Sequence, residues 1–168
     1  MLKTPLFEAI TAVIGNFPDA YRELLSGIST VKVFAKDEAI LEQGRFCKHL
    51  WFLNSGAVKA YETVDGVDRV TYFFTDNTFF TNYYCWVTGN PSDITFRAVE
   101  SSEITLIDYP KLEELCQQHH IFDTIGRKMA ERIFVTEYLN RKLFLQCTAT
   151  QRYEYLESER PEVFQRFV

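Results

Sequence analysis

The chain has 168 residues, of which 46% are hydrophobic, and a formal net charge of −5. This length fits one domain with a small additional segment. The negative net charge of the whole chain does not indicate a surface that binds nucleic acid. No stretch approaches the about 20 apolar residues that a membrane span needs, and the N-terminus lacks the apolar run of a signal peptide. We therefore expect a cytoplasmic protein without a membrane partner.

Four cysteines are spread through the sequence without a CxxC pair, namely Cys47, Cys85, Cys116 and Cys147. Isolated cysteines of this kind are typical of reduced, mostly buried thiols. Zinc and iron–sulfur sites need clustered ligands. We therefore expect no metal and no cofactor.

Two short helices are predicted at the N-terminus. Thr4 followed by Pro5 is typical of a helix start, with the threonine as cap and the proline in the first turn. Residues 18–20, Pro-Asp-Ala, open a second helix that ends at residues 26–27, Ser-Gly. Both helices precede a change in the hydrophobic period.

From Val31 the hydrophobic period changes from 3.6 to 2, which predicts strands. Residues 50–53, Leu-Trp-Phe-Leu, form the continuous apolar run expected of a strand buried on both faces. Residues 65–66, Asp-Gly, predict a hairpin because both central positions of a type I′ turn need a positive φ. Further strands are predicted at residues 95–99 and 103–108. Many short strands with regular turns indicate a small barrel or roll.

A short helix through Leu115 and a long helix over residues 121–147 are predicted after the strands. The long helix carries a heptad-spaced seam, formed by Met129, Ile133, Thr136, Asn140, Leu143 and Cys147. A second stripe consists of Phe134, Tyr138 and Leu145. The seam predicts a parallel homodimer through residues 125–147, in which a polar Asn140 can set the register. A single broad stripe facing the core of a monomer is the alternative.

The last segment lacks a long apolar period. Thr150 is expected to cap a short helix, and Pro161 breaks the helical pattern. Phe164 and Phe167 need cover, and we expect nothing further in the chain to supply it.

Two stretches carry a family resemblance, residues 40–44, Ile-Leu-Glu-Gln-Gly, and residues 50–59, which begin Leu-Trp-Phe-Leu-Asn-Ser-Gly. With the order of helix pair, strands, short helix and long helix, they resemble the sensor domain of Crp/Fnr transcription regulators over roughly residues 5–160. The resemblance implies an α+β fold. Its centre is a cyclic-nucleotide-binding-like β-roll, a double-stranded β-helix or jelly roll, flanked by N-terminal helices and a long C-terminal dimerisation helix.

The resemblance also divides the chain. Residues 1–118 correspond to the β-roll sensor domain with its N-terminal helices, and residues 119–148 to the long dimerisation helix. Residues 149–168 look like the start of a linker to a DNA-binding winged helix that is otherwise absent. DNA is expected to be a partner only through that missing C-terminal module, because it would supply the helix that enters a major groove.

In family members that bind cyclic AMP, backbone N–H groups and an arginine hold the phosphate, and a glutamate accepts from the ribose 2′-hydroxyl. The matching segment here has Thr81 at the glycine position, Asn82 at the glutamate position, and Ser92 or Asp93 at the arginine position. Each lost charged hydrogen bond weakens binding by about 1.5–3 kcal/mol. We expect a degenerate pocket that does not bind cyclic AMP in the usual way, and an unknown small-molecule effector.

Further effector-pocket candidates follow from the same resemblance. Arg132 and Thr136 match positions from which family members reach the ligand across the dimer. Their structural alternatives are a solvated helix residue and a seam residue. The segment that runs from Tyr83 and Tyr84 to Trp86 either lines a site for a flat or apolar effector or plugs the space that a nucleotide vacates.

The sequence contains no nucleophile elbow, P-loop or GxGxxG motif, and we expect no enzyme. The metal site of a cupin-like enzyme on a similar roll would require two or three histidines and a carboxylate on neighbouring strands. Only His49 lies on a predicted strand here. The leading hypothesis is the sensory, dimerising domain of a Crp/Fnr-like regulator. The alternative is a stand-alone ligand-binding or protein-interaction module of the same fold, without DNA-binding activity.

Overall fold

The structure, a computed structural model, describes residues 4–167. Seven helices and eight strands lie within this range. In chain order they are α1 (Thr4–Ile14), α2 (Asp19–Gly27), β1 (Ser29–Phe34), β2 (Ala39–Leu41), β3 (His49–Ser55), β4 (Val58–Val64), β5 (Val67–Phe74), β6 (Thr78–Phe80), α3 (Tyr83–Thr88), β7 (Thr95–Ala98), β8 (Ser102–Asp108), α4 (Tyr109–Gln118), α5 (His120–Gln146), α6 (Ala149–Glu159) and α7 (Pro161–Phe167).

The strands form two four-stranded antiparallel sheets, in the orders β1-β8-β3-β6 and β2-β7-β4-β5. One buried cluster draws side chains from both sheets and fills the space between them. A second cluster joins the first sheet to the flanking helices α1, α2, α4 and α5. The expected α+β fold, a β-roll flanked by helices, is therefore confirmed.

Strand β3 separates the two clusters. Because alternate side chains of a strand point to opposite faces, Trp51 and Leu53 enter the roll interior, whereas Phe52 packs against the helices. All three residues are buried. This arrangement confirms the prediction of a strand buried on both faces from the continuous apolar run.

The predicted hairpin joins β4 to β5. Asp65 and Gly66 have φ of 54° and 77°, and the flanking Val64 and Val67 are paired across the two strands. Both central residues thus have the positive φ that a type I′ turn requires. Outside this hairpin, Gly56 is required because it has no side chain. A Cβ at this position would lie 2.3 Å from Ser102 Oγ.

The long helix α5 is buried against the body of the protein at its start and exposed over its middle. Its first turns are anchored by the buried Phe122 and Ile125. Every residue from 131 to 142 is exposed. The bounds of this helix agree with the prediction to within one residue at each end.

Helix α6 has a different cap from the one predicted. Thr148, not Thr150, accepts a hydrogen bond from the Gln151 amide, and the Gln151 side chain accepts from the Thr148 amide. This reciprocal capping box satisfies two backbone donors. Thr150 has no glutamate or glutamine three residues later, and it lies inside the first turn.

The expectation that nothing in the chain covers Phe164 and Phe167 is wrong. The ring of Phe164 lies 4.9 Å from that of Tyr153 in α6, and the ring of Phe167 lies 4.8 Å from that of Phe73 in β5. Val163, in the same helix as Phe164 and Phe167, is buried. The reason is that Pro161 turns the chain, so that α7 packs back on the roll.

Candidate functional site

The segment between β6 and β7 contains α3 and the residues expected to meet a nucleotide. Asn82 caps α3 because its side-chain oxygen accepts a hydrogen bond from the Cys85 amide at 3.1 Å. Gly89 ends the helix with φ of 69°, in the left-handed region. We call residues 81–93 the cassette.

The structure brings Asn82, Ser92 and Asp93 together. The Asn82 amide nitrogen donates to Ser92 Oγ at 2.8 Å and to Asp93 Oδ1 at 2.7 Å. An asparagine amide has two N–H donors, so these contacts and the α3 cap use both donors and its oxygen. Asn82 and Ser92 are buried, and Asp93 is exposed.

Backbone hydrogen bonds hold the cassette against the loop between β2 and β3. The Gly44 amide donates to the Ser92 carbonyl at 2.7 Å, and the Ser92 amide donates to the Arg45 carbonyl at 2.8 Å. The charged side chain that contacts Asn82 is the carboxylate of Asp93. A phosphate needs donors and a countercharge, whereas this contact supplies negative charge.

Aromatic side chains fill the roll interior beside the cassette. The rings of Trp51 and Phe80 stack with centres 5.5 Å apart, and the ring of Phe96 lies 5.3 Å from that of Phe80. The ring of Phe74 lies 5.2 Å from that of Phe80. Trp51, Phe80 and Phe96 are buried, so this cluster occupies space between the two sheets.

The two tyrosines of the cassette do not plug the roll. Tyr83 and Tyr84 are 46% and 51% exposed, whereas Cys85 is 3% exposed. The reason is helical geometry, since a helix with one face on the roll must turn its other residues to solvent. Trp86 turns away from the roll interior and packs edge-on against Tyr109, with ring centres 4.2 Å apart.

Thr81 and two neighbours form a small polar group at the start of the cassette. The Thr81 hydroxyl lies 3.4 Å from Cys47 Sγ and donates to the His49 carbonyl at 3.4 Å. Burial raises the pKa of the Cys47 thiol. Burial lowers the pKa of His49, which favours a neutral imidazole there.

Arg132 and Thr136 lie on α5, away from the contacts of the cassette. The guanidinium of Arg132 donates to the carbonyl of Ala12 in α1 at 3.0 Å, and Thr136 is exposed. At the next residue of α5, the Glu137 carboxylate accepts a hydrogen bond from the Tyr72 hydroxyl of β5. Burial and this hydrogen bond raise the pKa of Tyr72 to about 12.

The predicted seam on α5 runs from the body of the protein to its end. Met129, Leu143 and Cys147 are partly buried, whereas Ile133, Thr136 and Asn140 are exposed. A groove of about 250 Å³ lies between α5 and α6, lined in part by Leu139, Leu143, Cys147 and Tyr155.

Sequence reasoning missed two features of this site. The first is the aromatic cluster, whose partial signal was that Phe74 and Phe96 fall on predicted strands. The second is the contact of Cys47 with the cassette. No local signal could have found that contact, because it joins residues 38 positions apart.

The sequence profile of the cyclic nucleotide-binding domain matches residues 31–119. This match covers more than half of the chain, and the chain therefore belongs to that family. No curated protein sequence matches it significantly. No helix among residues 4–167 is long and apolar enough to cross a membrane.

Solved structures share the fold. A cyclic nucleotide-binding domain from Methylobacillus flagellatus KT aligns with a TM-score of 0.72 at 12% identity, over 86% of this chain and 84% of that one. The sensor domain of the transcriptional regulator DNR from Pseudomonas aeruginosa gives 0.61 at 15% identity, over 75% and 91%. The catabolite activator protein of Thermus thermophilus gives 0.65 at 18% identity, over 84% of this chain and 63% of that longer protein.

Proposed function

We propose that this chain is the sensory and dimerisation domain of a Crp/Fnr-like transcription regulator, with a cassette that does not bind cyclic AMP in the usual way. Residues 1–118 sense, residues 119–148 dimerise, and residues 149–168 begin the link to a winged helix that contacts DNA. The observation that carries the proposal is the closed hydrogen-bond network of Asn82 with Ser92 and Asp93.

The network supports a degenerate cassette on energetic grounds. A nucleotide would have to break the contacts of Asn82, because both donors and the oxygen of its amide are already used. The ribose would find an amide in place of a carboxylate, and the phosphate would meet Asp93 in place of a guanidinium. At about 1.5–3 kcal/mol for each charged hydrogen bond lost, affinity falls by a few orders of magnitude.

The packed interior of the roll supports a flat or apolar effector that binds outside the roll. Trp51, Phe80 and Phe96 already contact one another between the sheets. A ligand could enter only by displacing a ring, and buried aromatic contacts of this kind are worth about 0.5–1.5 kcal/mol each beyond their area. The exposed Tyr83 and Tyr84 offer flat apolar surface outside the roll instead.

The exposed apolar side chains of α5 support dimerisation. Ile133 of the seam and Leu139 beside it are among the large hydrophobic residues that this helix presents to solvent. Burying such side chains is favourable by about 25 cal/mol for each Å² removed from water. A second α5, packed in parallel through residues 125–147, would cover them.

Effector binding would act on DNA affinity by shifting the two α5 helices between two arrangements. Such a shift requires that the effector bind one arrangement more tightly than the other. The contact between Tyr72 of β5 and Glu137 of α5 joins the roll to the exposed part of this helix. It is therefore a route by which a change in the roll would reach the dimer.

Calorimetric titration with cyclic AMP and cyclic GMP tests the cassette. We expect no binding at micromolar nucleotide. The matched variant Asn82→Glu/Asp93→Arg restores a ribose acceptor and a phosphate countercharge, and it should bind more tightly than the wild type. Wild-type binding tighter than about 10 μM, or about −7 kcal/mol, would contradict the proposal.

One observation favours the second candidate, a stand-alone interaction module of the same fold. Arg160 donates to the Phe73 carbonyl at 3.1 Å, and Arg166 pairs with Asp76 and Glu100. These contacts hold α7 on the roll, where it is not free to lead a separate domain. Hydrogen exchange separates the two candidates, because a linker exchanges rapidly over residues 161–167 and a docked helix is protected.

A further inference from the structure

Two cysteines that are distant in sequence meet beside the cassette. The backbone amide of Cys47 donates a hydrogen bond to Cys85 Sγ, with 3.0 Å between nitrogen and sulfur. Both residues are free thiols, Cys47 half-buried and Cys85 buried. Cys47 lies in the loop before β3, and Cys85 lies in α3. A bond between them would join two separate segments of the site.

The separation of the two residues suits a disulfide. The N–Cα bond is about 1.5 Å long, so the Cα of Cys47 lies within about 4.5 Å of Cys85 Sγ. In a disulfide the two sulfur atoms are about 2.05 Å apart, so Cys47 Sγ has to reach a sulfur that already lies against its own backbone amide. Rotation of Cys47 about χ1 between staggered positions can therefore bring its sulfur to Cys85 without a large backbone movement.

The surrounding contacts hold both backbones in place. The Gly44 and Arg45 backbone bonds to Ser92 fix the loop against the cassette, and the Asn82 cap fixes the Cys85 amide. In the reduced protein, Cys47 Sγ instead approaches the Thr81 hydroxyl and the His49 carbonyl, each at 3.4 Å. Oxidation would exchange these weak contacts for a covalent bond.

We propose that Cys47 and Cys85 form a reversible disulfide that locks the cassette to the loop before β3, with a low-molecular-weight disulfide as the oxidant. The Cys47 thiolate attacks the oxidant, forms a mixed disulfide and releases one small thiol. The Cys85 thiolate then attacks Cys47 Sγ and releases the second. Two protein thiols are oxidised, one small disulfide is reduced to two thiols, and the two protons pass to those products.

The order of the steps follows from access. Cys47 is partly exposed, so the oxidant can reach it from solvent. Cys85 is 3% exposed, so it can react only with a sulfur that is already held inside the protein. Burial raises the pKa of Cys47, and exchange needs the thiolate. The bond therefore forms slowly at neutral pH, in response to sustained rather than brief oxidation.

This modification does not depend on the proposed effector or on DNA. It would fix α3 relative to the roll, and α3 carries the exposed Tyr83 and Tyr84. A ligand that binds at this surface would meet a rigid cassette in the oxidised protein and a movable one in the reduced protein.

Peptide mapping tests the pairing directly. The full chain is incubated with oxidised glutathione at about pH 8.5, where an ordinary thiol is about half ionised, then alkylated and digested with trypsin without reductant. The sequence places each cysteine in a separate tryptic peptide, at residues 46–48, 70–97, 112–127 and 143–152. We expect 46–48 linked to 70–97, the loss of two of the four thiols, and full reversal by dithiothreitol.

Three controls make the test specific. The Cys116→Ser/Cys147→Ser variant should form the same link, and Cys47→Ser should lose it while Cys85 remains unmodified. The chain oxidised in urea should give a mixture of pairings, because the folded geometry is gone. Glutathione left on Cys47 without the link would overturn the proposal. So would a native pairing pattern no different from that in urea.

Discussion

The roll interior and the exposed part of α5 use similar apolar side chains in opposite surroundings. Inside the roll, the rings of Trp51 and Phe80 stack and are almost completely buried. On α5, Phe134 and Leu145 are 75% and 70% exposed. The first region is complete within one chain. The second exposes apolar area that a single chain leaves in contact with water.

The difference separates what one chain stabilises by itself from what it presents to others. A β-roll closes two sheets on each other, so each ring inside has partners from the opposite sheet. On α5, by contrast, every residue from 131 to 142 is exposed, so the apolar side chains there lack the opposite layer that each sheet of the roll provides. If burial sets the energy, substitutions in the two regions should change stability by unequal amounts.

The largest effect is expected at Phe80. Removing its ring by Phe80→Ala leaves a cavity beside Trp51 and Phe96 and should lower the free energy of unfolding by about 3–5 kcal/mol. Urea denaturation measures this loss. The matched change Phe134→Ala, made in the monomeric background described below, should cost less than about 0.5 kcal/mol. Equal losses of unfolding free energy at Phe80 and Phe134 would show that the difference in burial is not a difference in energy.

A second effect is expected in assembly rather than in stability. Leu143→Glu puts a charge in the predicted seam and should raise the dimer dissociation constant more than about 100-fold, or about 2.8 kcal/mol. Sedimentation should then show a monomer. The neighbouring Lys142→Glu, outside the seam, should stay dimeric. A wild-type monomer at micromolar concentration would contradict the dimer itself.

The smallest effect concerns Tyr72, where the roll meets α5. Its pKa of about 12 lies above the ordinary value of about 10, so the fold favours the neutral phenol. The stabilisation is fully present below about pH 10 and is lost as the pH rises through about 12. Relative to Tyr72→Phe, the urea midpoint of the wild type should fall over this interval. Parallel curves would show that neither burial nor the Glu137 contact raises the pKa of Tyr72 in the folded protein.

Much of the fold was predictable because its signals are local. The dipeptide Asp65-Gly66 by itself indicates a type I′ turn. The apolar run from Leu50 to Leu53 indicates a strand with apolar surroundings on both faces. The bounds of α5 followed from its apolar period and were correct to one residue. These features depend on residues within one turn or one strand of each other.

The site was predictable only in part. The resemblance located the cassette, and it pointed to Asn82, Ser92 and Asp93 as neighbours of one site, which the structure brings together. It did not indicate that they bond to one another. The directions of Tyr83 and Tyr84 were also open, because a six-residue helix can turn either face to the roll.

The sequence by itself determined the hairpin, the doubly buried strand and the long helix, since each follows from backbone preference and hydrophobic period over short distances. The tertiary structure alone decided which side chains meet across the chain. Cys47 reaches Cys85, Phe167 covers Phe73, and Phe80 stacks on Trp51. Such contacts depend on how the two sheets and α7 pack, and that packing is set by the whole core rather than by any one segment.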